Sequence, residues 1–461
     1  MSELALRAYH AMPVWVQNAL LTAYGLRLRR LRYGAQNRKI LEDLLASQWL
    51  TAEEIHDRQL SALNELVRHA RANVPFYRAR DLPERIAHLD DLARMPLLRK
   101  TDLLSQGKAF VGDEVAASAH EVHTGGTTGT PLTIYCSRAT LQRNYAFFER
   151  LKAWAHIPPR SRTAVFAGRL LVPPSQARPP YWRRNRAANT LMLSSYHLSP
   201  QTAGDYLSAL REFRPELIDS YPSSIEFVAR SALKLGVEDI RPRAVITSSE
   251  TLTPEARDII QRAFGCPVFD HYGSAEMAAF VSQCEVGSYH VNPEFGIVEI
   301  IREDGTRAPA GEEGHLVATG FINPVMPLIR YATGDQAVQG EGTCSCGRAF
   351  PILARIAGRV DDVLVTPDGR RIGRLDPIFK SNLAIREARI VQDAVDHVRI
   401  EVVPETEFSS DEEAALAREL SRRLGPSMRV DVVRVPSVPR EASGKLRMVV
   451  REIPSPPSGA L

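Results

Sequence analysis

At 461 residues the chain exceeds what one hydrophobic core usually organises, so two or three structural units are expected. Hydrophobic residues at 44% and charged residues at 24% exclude a disordered or fibrous chain. The net charge of +4 is mild and Lys and Arg are spread along the whole length, which leaves nucleic-acid binding without support.

The chain begins helical. DRQLSALNELVRHARAN places Leu60, Leu63, Leu66 and Val67 on one helical face before Pro75 breaks the pattern. Upstream, LRLRRLRYGAQNRK (Leu26 to Lys39) is basic and partly amphipathic. An exposed helix with solvated arginines is the plainer reading; an anionic membrane surface or a carrier partner is the other. No apolar run is long enough for an integral membrane segment and the N-terminus lacks a signal-peptide cleavage pattern, so the expected location is cytoplasmic.

From about Glu121 short β-rich runs alternate with helices. RAVITSSE reads as a strand, TPEARDIIQRAFG as a helix capped by Thr253 and Gly265, and CPVFDHYG as the next strand. That alternation predicts an α/β fold with a parallel sheet, whose ligands gather where SSE and YGSAE fall, at the carboxyl ends of strands. GIVEII and HLVATG suggest a small β subregion, and IAGRVDDVLVTPDGRRIG a strand pair turning at Asp368-Gly369. A boundary near Gly358 is expected, giving a large domain over residues 1–357, its first hundred mainly helical, and a small α+β domain over 358–461.

TGGTTGTP, from Thr124, combines glycines that let backbone N–H groups converge with hydroxyl donors, which suits phosphate oxygens; a plain flexible turn is the alternative. It is not a Walker A loop, because no Lys lies between Thr124 and Tyr135. Five cysteines in a long chain disfavour a disulfide framework. Thiolates and imidazole are preferred ligands of structural Zn²⁺, which makes Cys284, His290, Cys344 and Cys346 a candidate Cys₃His set; two core cysteines and two unrelated ones is the other reading. Cys266 reads as a core residue.

Taken with four further motifs in order, the Thr/Gly loop resembles the phosphate-binding signature of adenylate-forming enzymes, the acyl-CoA ligases, peptide-synthetase adenylation domains and luciferases. The others are DHYGSAE (Asp270 to Glu276), YATGD (Tyr331 to Asp335), GRVDD (Gly358 to Asp362) and SGKLR (Ser443 to Arg447). ARANVPFYR, MPLLRKTDL, RPPYWRRNR, SSYHLSP and SYPSSIEF look like the phenylacetate-CoA ligase branch, especially its capsular-polysaccharide-biosynthesis-type relatives. The resemblance runs from about Arg58 to Met448.

The resemblance implies that Thr124, Gly126, Thr127, Thr128 and Gly129 hold the β- and γ-phosphates of ATP. Tyr272, with Gly273 and Ser274 beside it, packs against adenine, and Ser249 and Glu250 offer backbone contacts to the same base. Glu276 suits Mg²⁺ as a hard oxygen ligand, Asp335 takes both ribose hydroxyls, and Arg359 reaches ribose or phosphate. Lys445 bridges the substrate carboxylate and α-phosphate, and Asp361 is the hinge on which the small domain turns. Where many relatives carry Lys in the loop this chain has Thr130, which implies a weaker or differently closed γ-phosphate contact.

Tyr196, His197 and Tyr221 are the candidate acid pocket, suited to an aryl or amphipathic acid, with core packing as the other reading. The cysteine set is similar to one in this branch, implying that zinc ties the insertion beside YATGD to the large domain. The implied activity is ATP-dependent formation of an acyl-adenylate from a small-molecule carboxylic acid, then thioester formation with coenzyme A. Transfer to an amine, a carrier protein or a sugar is the alternative, with RPPYWRRNR (Arg178, Arg183, Arg184, Arg186) against phosphopantetheine or a nucleotide-sugar. A catalytically silent nucleotide-binding relative is the third reading. Neither the acid nor the oligomeric state follows from the sequence.

Overall fold

A computed structural model of the chain describes residues 3–113, 119–123, 132–167, 171–173, 176–199, 201–359, 364–367, 371–372, 385–404, 408–425, 427–440 and 446–453. Helix Ala52–Asn73 starts at a capping box. Thr51 Oγ1 accepts from the Glu54 N–H, while a Glu54 carboxylate oxygen accepts from the Thr51 N–H at 2.8 Å. Its buried stripe of Leu63, Leu66, Val67 and Ala70 packs with Phe76 and Phe110 against the strand residues Val281, Leu316 and Ala318. The stretch from Leu60 to Leu98 is therefore one wall of the large domain's core.

Among the described residues one sheet of twelve strands runs through the large domain. Strands Thr190–Ser194, Thr163–Ala167, Leu217–Ser220, Ala244–Ser248 and Val268–Gly273 lie parallel in that order. Their near-continuous apolar runs are buried on both faces, as parallel strands require. The helix between the last two, Pro254–Phe264, begins with Thr253 Oγ1 accepting from the Ala256 N–H at 3.1 Å and ends at Gly265 with a φ of 62°. A right-handed crossover of that kind returns the chain beside its own strand, so both strands end at one edge of the layer.

Beyond Val268–Gly273 the sheet turns antiparallel, through Phe280–Gln283, Tyr289–Val291, Ile352–Arg359, Tyr331–Gln339, Glu313–Gly320 and Gly296–Ile301. Arg359 still pairs with Asp335, so the large sheet extends two residues past the expected boundary at 357. At the opposite edge, strand Trp182–Asn185 is covered by helix Val14–Arg32, which shields an edge that would otherwise invite pairing. The basic stretch Leu26 to Lys39 is not one helix: the chain leaves the helix at extended Tyr33 and re-enters at Gly34, so its charges divide between two helices.

The C-terminal residues form a separate core. Strands Arg429–Arg434, His397–Pro404, Ile385–Ala394 and Val449–Arg451 make a four-stranded sheet, and helix Ser410–Leu424 lays Leu416, Leu420 and Leu424 on it. That apolar cluster draws only on residues from Leu364 onward.

Candidate active site

The parallel strands end around a cavity of about 250 Å³ lined by Phe148, Ser249, His271, Ser274 and Phe280 among others. Strand Ala244–Ser248 runs into Ser249, whose φ of 72° is uncommon for a residue with a side chain and of the kind that clusters at functional sites. Strand Val268–Gly273 supplies His271. Its ring stacks on Phe280 at 5.4 Å between centroids and meets Phe148 edge-on at 5.2 Å. Both His271 Nδ1 and Ser274 Oγ are buried there with no hydrogen-bond partner among the described residues. Two orphaned polar atoms on an aromatic-walled cavity are an expensive arrangement unless a ligand satisfies them.

Beside the cavity, Tyr272 donates its hydroxyl to Asp335 Oδ2 at 2.6 Å, and the Asp335 N–H is held by Thr333 Oγ1 at 3.2 Å. Burial and the adjacent carboxylate both keep the Tyr272 hydroxyl protonated, so it is a permanent donor. Among the described residues Glu276 accepts only a long bond from the Tyr331 hydroxyl, 3.3 Å to Oε1. A half-buried carboxylate so lightly engaged fits a hard divalent cation such as Mg²⁺. Glu250 is engaged at both oxygens: Oε2 accepts from the Ser223 N–H at 3.0 Å and Oε1 from the Leu446 N–H at 2.9 Å. Its pKa is raised by burial, against which both donors act. One carboxylate thus caps the start of helix Pro222–Lys234 and holds the C-terminal segment at the strand ends.

Ser249, Glu250, Tyr272, Gly273, Ser274, Glu276 and Asp335 therefore come together from three stretches of sequence. The loop residues Thr124, Gly126, Thr127, Thr128, Gly129 and Thr130 lie outside the described residues, as do Asp361, Lys445 and the side chains of Arg359 and Tyr196. His197 turns to other company: its ring stacks on Tyr181 at 5.2 Å, and its nitrogens meet Ser194 Oγ at 2.8 Å and the Pro173 carbonyl at 3.1 Å. Tyr221 is the N-cap of helix Pro222–Lys234. Neither lines the cavity. Arg183 is fully buried, because strand alternation points it inward, and it bonds to Gln17, Gln176 and the carbonyls of Pro180 and Trp182; it is not open to an acceptor, whereas Arg178, Arg184 and Arg186 are exposed. Sequence reasoning missed Phe148 and Phe280, which carry no motif, and passed over His271 although it stands inside DHYGSAE.

A second constellation lies on the antiparallel side. The ligand atoms of Cys284, His290, Cys344 and Cys346 all fall within 4.8 Å of one another. Cys284 Sγ is 3.7 Å from Cys344 Sγ and Cys346 Sγ is 3.4 Å from His290 Nε2. A disulfide needs about 2.05 Å, whereas zinc–ligand bonds of about 2.3 and 2.0 Å set tetrahedral edges of roughly 3.8 Å between sulfurs and 3.5 Å from sulfur to nitrogen. The residues fit a structural zinc site. Arg348 braces it, paired with Glu285 at 2.8 Å and lying over Trp154.

Comparison with known proteins decides the relationship. Residues 364–452 match the model of the CapK C-terminal domain. Over 459 residues the chain is 25% identical to protein CapK of Staphylococcus aureus, covering 96% of this chain and 99% of CapK. It is 26% identical to the phenylacetate-coenzyme A ligase of Thermus thermophilus, covering 87% and 97%. Over nearly its whole length the chain is similar to CapK and to the phenylacetate-CoA ligases, and its C-terminal residues match the CapK C-terminal domain. The fold agrees. The crystal structure of 2-hydroxyisobutyryl-CoA ligase in the postadenylation state superposes with a TM-score of 0.68 at 20% identity, covering 88% of this chain and 92% of that one. Its thioesterification state gives 0.56.

In this family setting, the neighbours Asp270 and His271 on the YGSAE strand make a testable pair. Burial lifts the Asp270 carboxyl to about 6, although the Tyr289 and Thr247 hydroxyls donate to it, and burial lowers the His271 imidazole to about 4. Between pH ~4 and ~6 native Asp270 holds more protons than the unfolded chain, so its contribution to stability falls as pH rises. Native His271 holds fewer between ~4 and ~6.5, so its contribution is complete above that range and is lost as pH falls. The two offset each other at about 3 kcal/mol apiece. Urea titrations across this range should show Asp270→Asn gaining stability with rising pH relative to the parent, and His271→Phe losing it; variants that track the parent at every pH would refute both assignments.

Proposed function

We propose that the chain activates a compact aromatic carboxylic acid with ATP, releasing pyrophosphate, and passes the acyl group from the adenylate to coenzyme A. The observation that carries this reading is the Phe148–His271–Phe280 cavity opening beside Tyr272, Asp335 and Glu276 at the strand ends. About 150 Å³ suffices for benzene, so 250 Å³ suits one ring with a carboxyl-bearing arm better than a long acyl chain. The unpaired His271 Nδ1 and Ser274 Oγ favour an acid with a hydrogen-bonding substituent.

In the first step a carboxylate oxygen bonds to the α-phosphorus and the bond to the β-phosphate oxygen breaks, so pyrophosphate leaves with the electron pair. Tyr272 flanks the adenine and, by fixing Asp335, sets that carboxylate for the ribose hydroxyls. Thr124, Gly126, Thr127, Thr128 and Gly129 would donate to the departing phosphates, and Lys445 would offset the charge that gathers between the carboxylate and the α-phosphate. Mg²⁺ held by Glu276 would draw charge off the phosphate oxygens. In the second step the small domain turns at Asp361, the coenzyme A sulfur bonds to the acyl carbon, and AMP departs. The relatives named phenylacetate-coenzyme A ligase support both steps and this acceptor.

The reading is tested by pyrophosphate release with benzoate, phenylacetate, 4-hydroxyphenylacetate and octanoate, with and without coenzyme A. Aryl acids should react, the hydroxylated one fastest and octanoate near background, with steady turnover and an acyl-CoA product only when coenzyme A is present. Release that stalls at one turnover despite coenzyme A would overturn the acceptor. No release with any acid, or octanoate as the best one, would overturn the reading itself.

A further inference from the structure

Helix Val14–Arg32 is apolar on the side that faces away from the protein. Its inner face is accounted for: Gln17 and Gly25 are buried, Asn18 Oδ1 accepts the Arg184 N–H at 2.8 Å, and Thr22 Oγ1 accepts the Arg186 N–H at 3.2 Å. A Cβ on Gly25 would collide with the Asn185 side chain, so the helix lies close against its strand at this point. The outer face carries Trp15 at 73% exposure, Leu20 at 45%, Tyr24 at 52% and Leu26 at 47%. At about 100° per residue these fall with Ala19 and Ala23 on one continuous arc. Arg27 and Arg30 are exposed at the C-terminal end of the same arc, and Arg29 is exposed just beyond its edge.

Charge selects what covers this face. From Leu4 to Leu41 the chain has no Asp or Glu and seven Arg or Lys, more than the net +4 of the whole protein. Arg27, Arg29 and Arg30 form no ion pair with a described residue. Arginines beside a helix C-terminus complement its dipole, which explains their tolerance there but not the tryptophan and leucines exposed alongside them. Exposed Trp, Tyr and Leu flanked by uncompensated arginines are what an anionic lipid surface binds: aromatic and aliphatic groups enter the headgroup boundary while guanidinium groups meet lipid phosphates. No described helix is long and apolar enough to cross a membrane.

We propose that this face seats the protein on an anionic bilayer surface, the helix lying in the membrane plane with Trp15, Leu20, Tyr24 and Leu26 inserted and Arg27, Arg29 and Arg30 against phosphates. The proposal is independent of the chemistry at the strand ends. It is tested by cosedimenting the full chain with vesicles of phosphatidylcholine alone or with roughly 30% phosphatidylglycerol, which sets the negative surface potential. Binding should need the anionic lipid. It should fall at least about tenfold in Trp15→Ser/Leu26→Ser and in Arg27→Glu/Arg29→Glu/Arg30→Glu, because each set removes one of the two contributions. All these positions are exposed, so the variants should keep the parent's melting temperature. Wild-type tryptophan emission should shift to the blue on anionic vesicles, and that shift should be lost in Trp15→Phe. Absence of sedimentation with either vesicle, or binding that neither set of substitutions alters, would overturn the proposal. So would a dimer in sedimentation velocity that Trp15→Ser/Leu26→Ser converts to monomer, since the face would then be covered by a second copy.

Discussion

Lys445→Ala should lower acyl-adenylate formation by about 10²–10³-fold, the effect of deleting one group aimed at developing charge, while ATP binding is nearly retained. The Thr/Gly loop proposed for the phosphates contains no lysine, so under that proposal the charge gathering between carboxylate and α-phosphate has to be met from elsewhere. SGKLR is the motif that offers it. Its next residue, Leu446, donates its N–H to Glu250 Oε1 at 2.9 Å, and Glu250 follows the strand whose end lines the cavity. Pyrophosphate release under saturating acid measures the loss, and nucleotide titration of the same variant measures what is kept. Wild-type release in Lys445→Ala would remove the residue from the mechanism; loss of nucleotide affinity equal to the loss of rate would reduce it to a binding group.

The second large effect falls on stability. A metal joining Cys284 and His290 to Cys344 and Cys346 closes a loop of some sixty residues, worth about 4 kcal/mol by the chain-entropy argument. It fastens the Phe280–Gln283 and Tyr289–Val291 strands, next to the cavity wall, to the connection between Tyr331–Gln339 and Ile352–Arg359. Elemental analysis should find one zinc per chain. Chelation, or Cys346→Ser, should lower the melting temperature by roughly 5 °C, given the unfolding entropy of a domain of this size. Protein free of zinc, with a melting point that a chelator leaves unchanged, would make the four residues an unmetallated cluster.

The parts of this molecule written in local sequence were legible. Thr253 and Gly265 announce the ends of one helix, alternation marks the strands beside it, and DHYGSAE and YATGD carry the polar residues that meet at the strand ends. The cavity was not legible, because its walls come from a helix, four strands and the turns beside them, far apart in the chain. Phe148 and Phe280 look like any core aromatic until the fold brings them together with His271 in one three-ring cluster. His197 and Tyr221 were attractive for the opposite reason, as polar aromatics in family-like text; the ring nitrogens of His197 meet Ser194 and the Pro173 carbonyl, and neither residue lines the cavity. The basic N-terminal segment shows a third kind of limit. Its charge is plain from the sequence, but which side of the helix is left uncovered depends on Asn18, Thr22 and Gly25 meeting the edge strand.

The central claim is that ATP is split at the α-phosphate with the acid attached to AMP. Incubating the protein with α-labelled ATP and 4-hydroxyphenylacetate, without coenzyme A, and resolving the labelled products tests it most directly. The account predicts label in an acyl-AMP species, which coenzyme A converts to AMP as the thioester forms. Label appearing in ADP, with phosphate rather than pyrophosphate released, would contradict it.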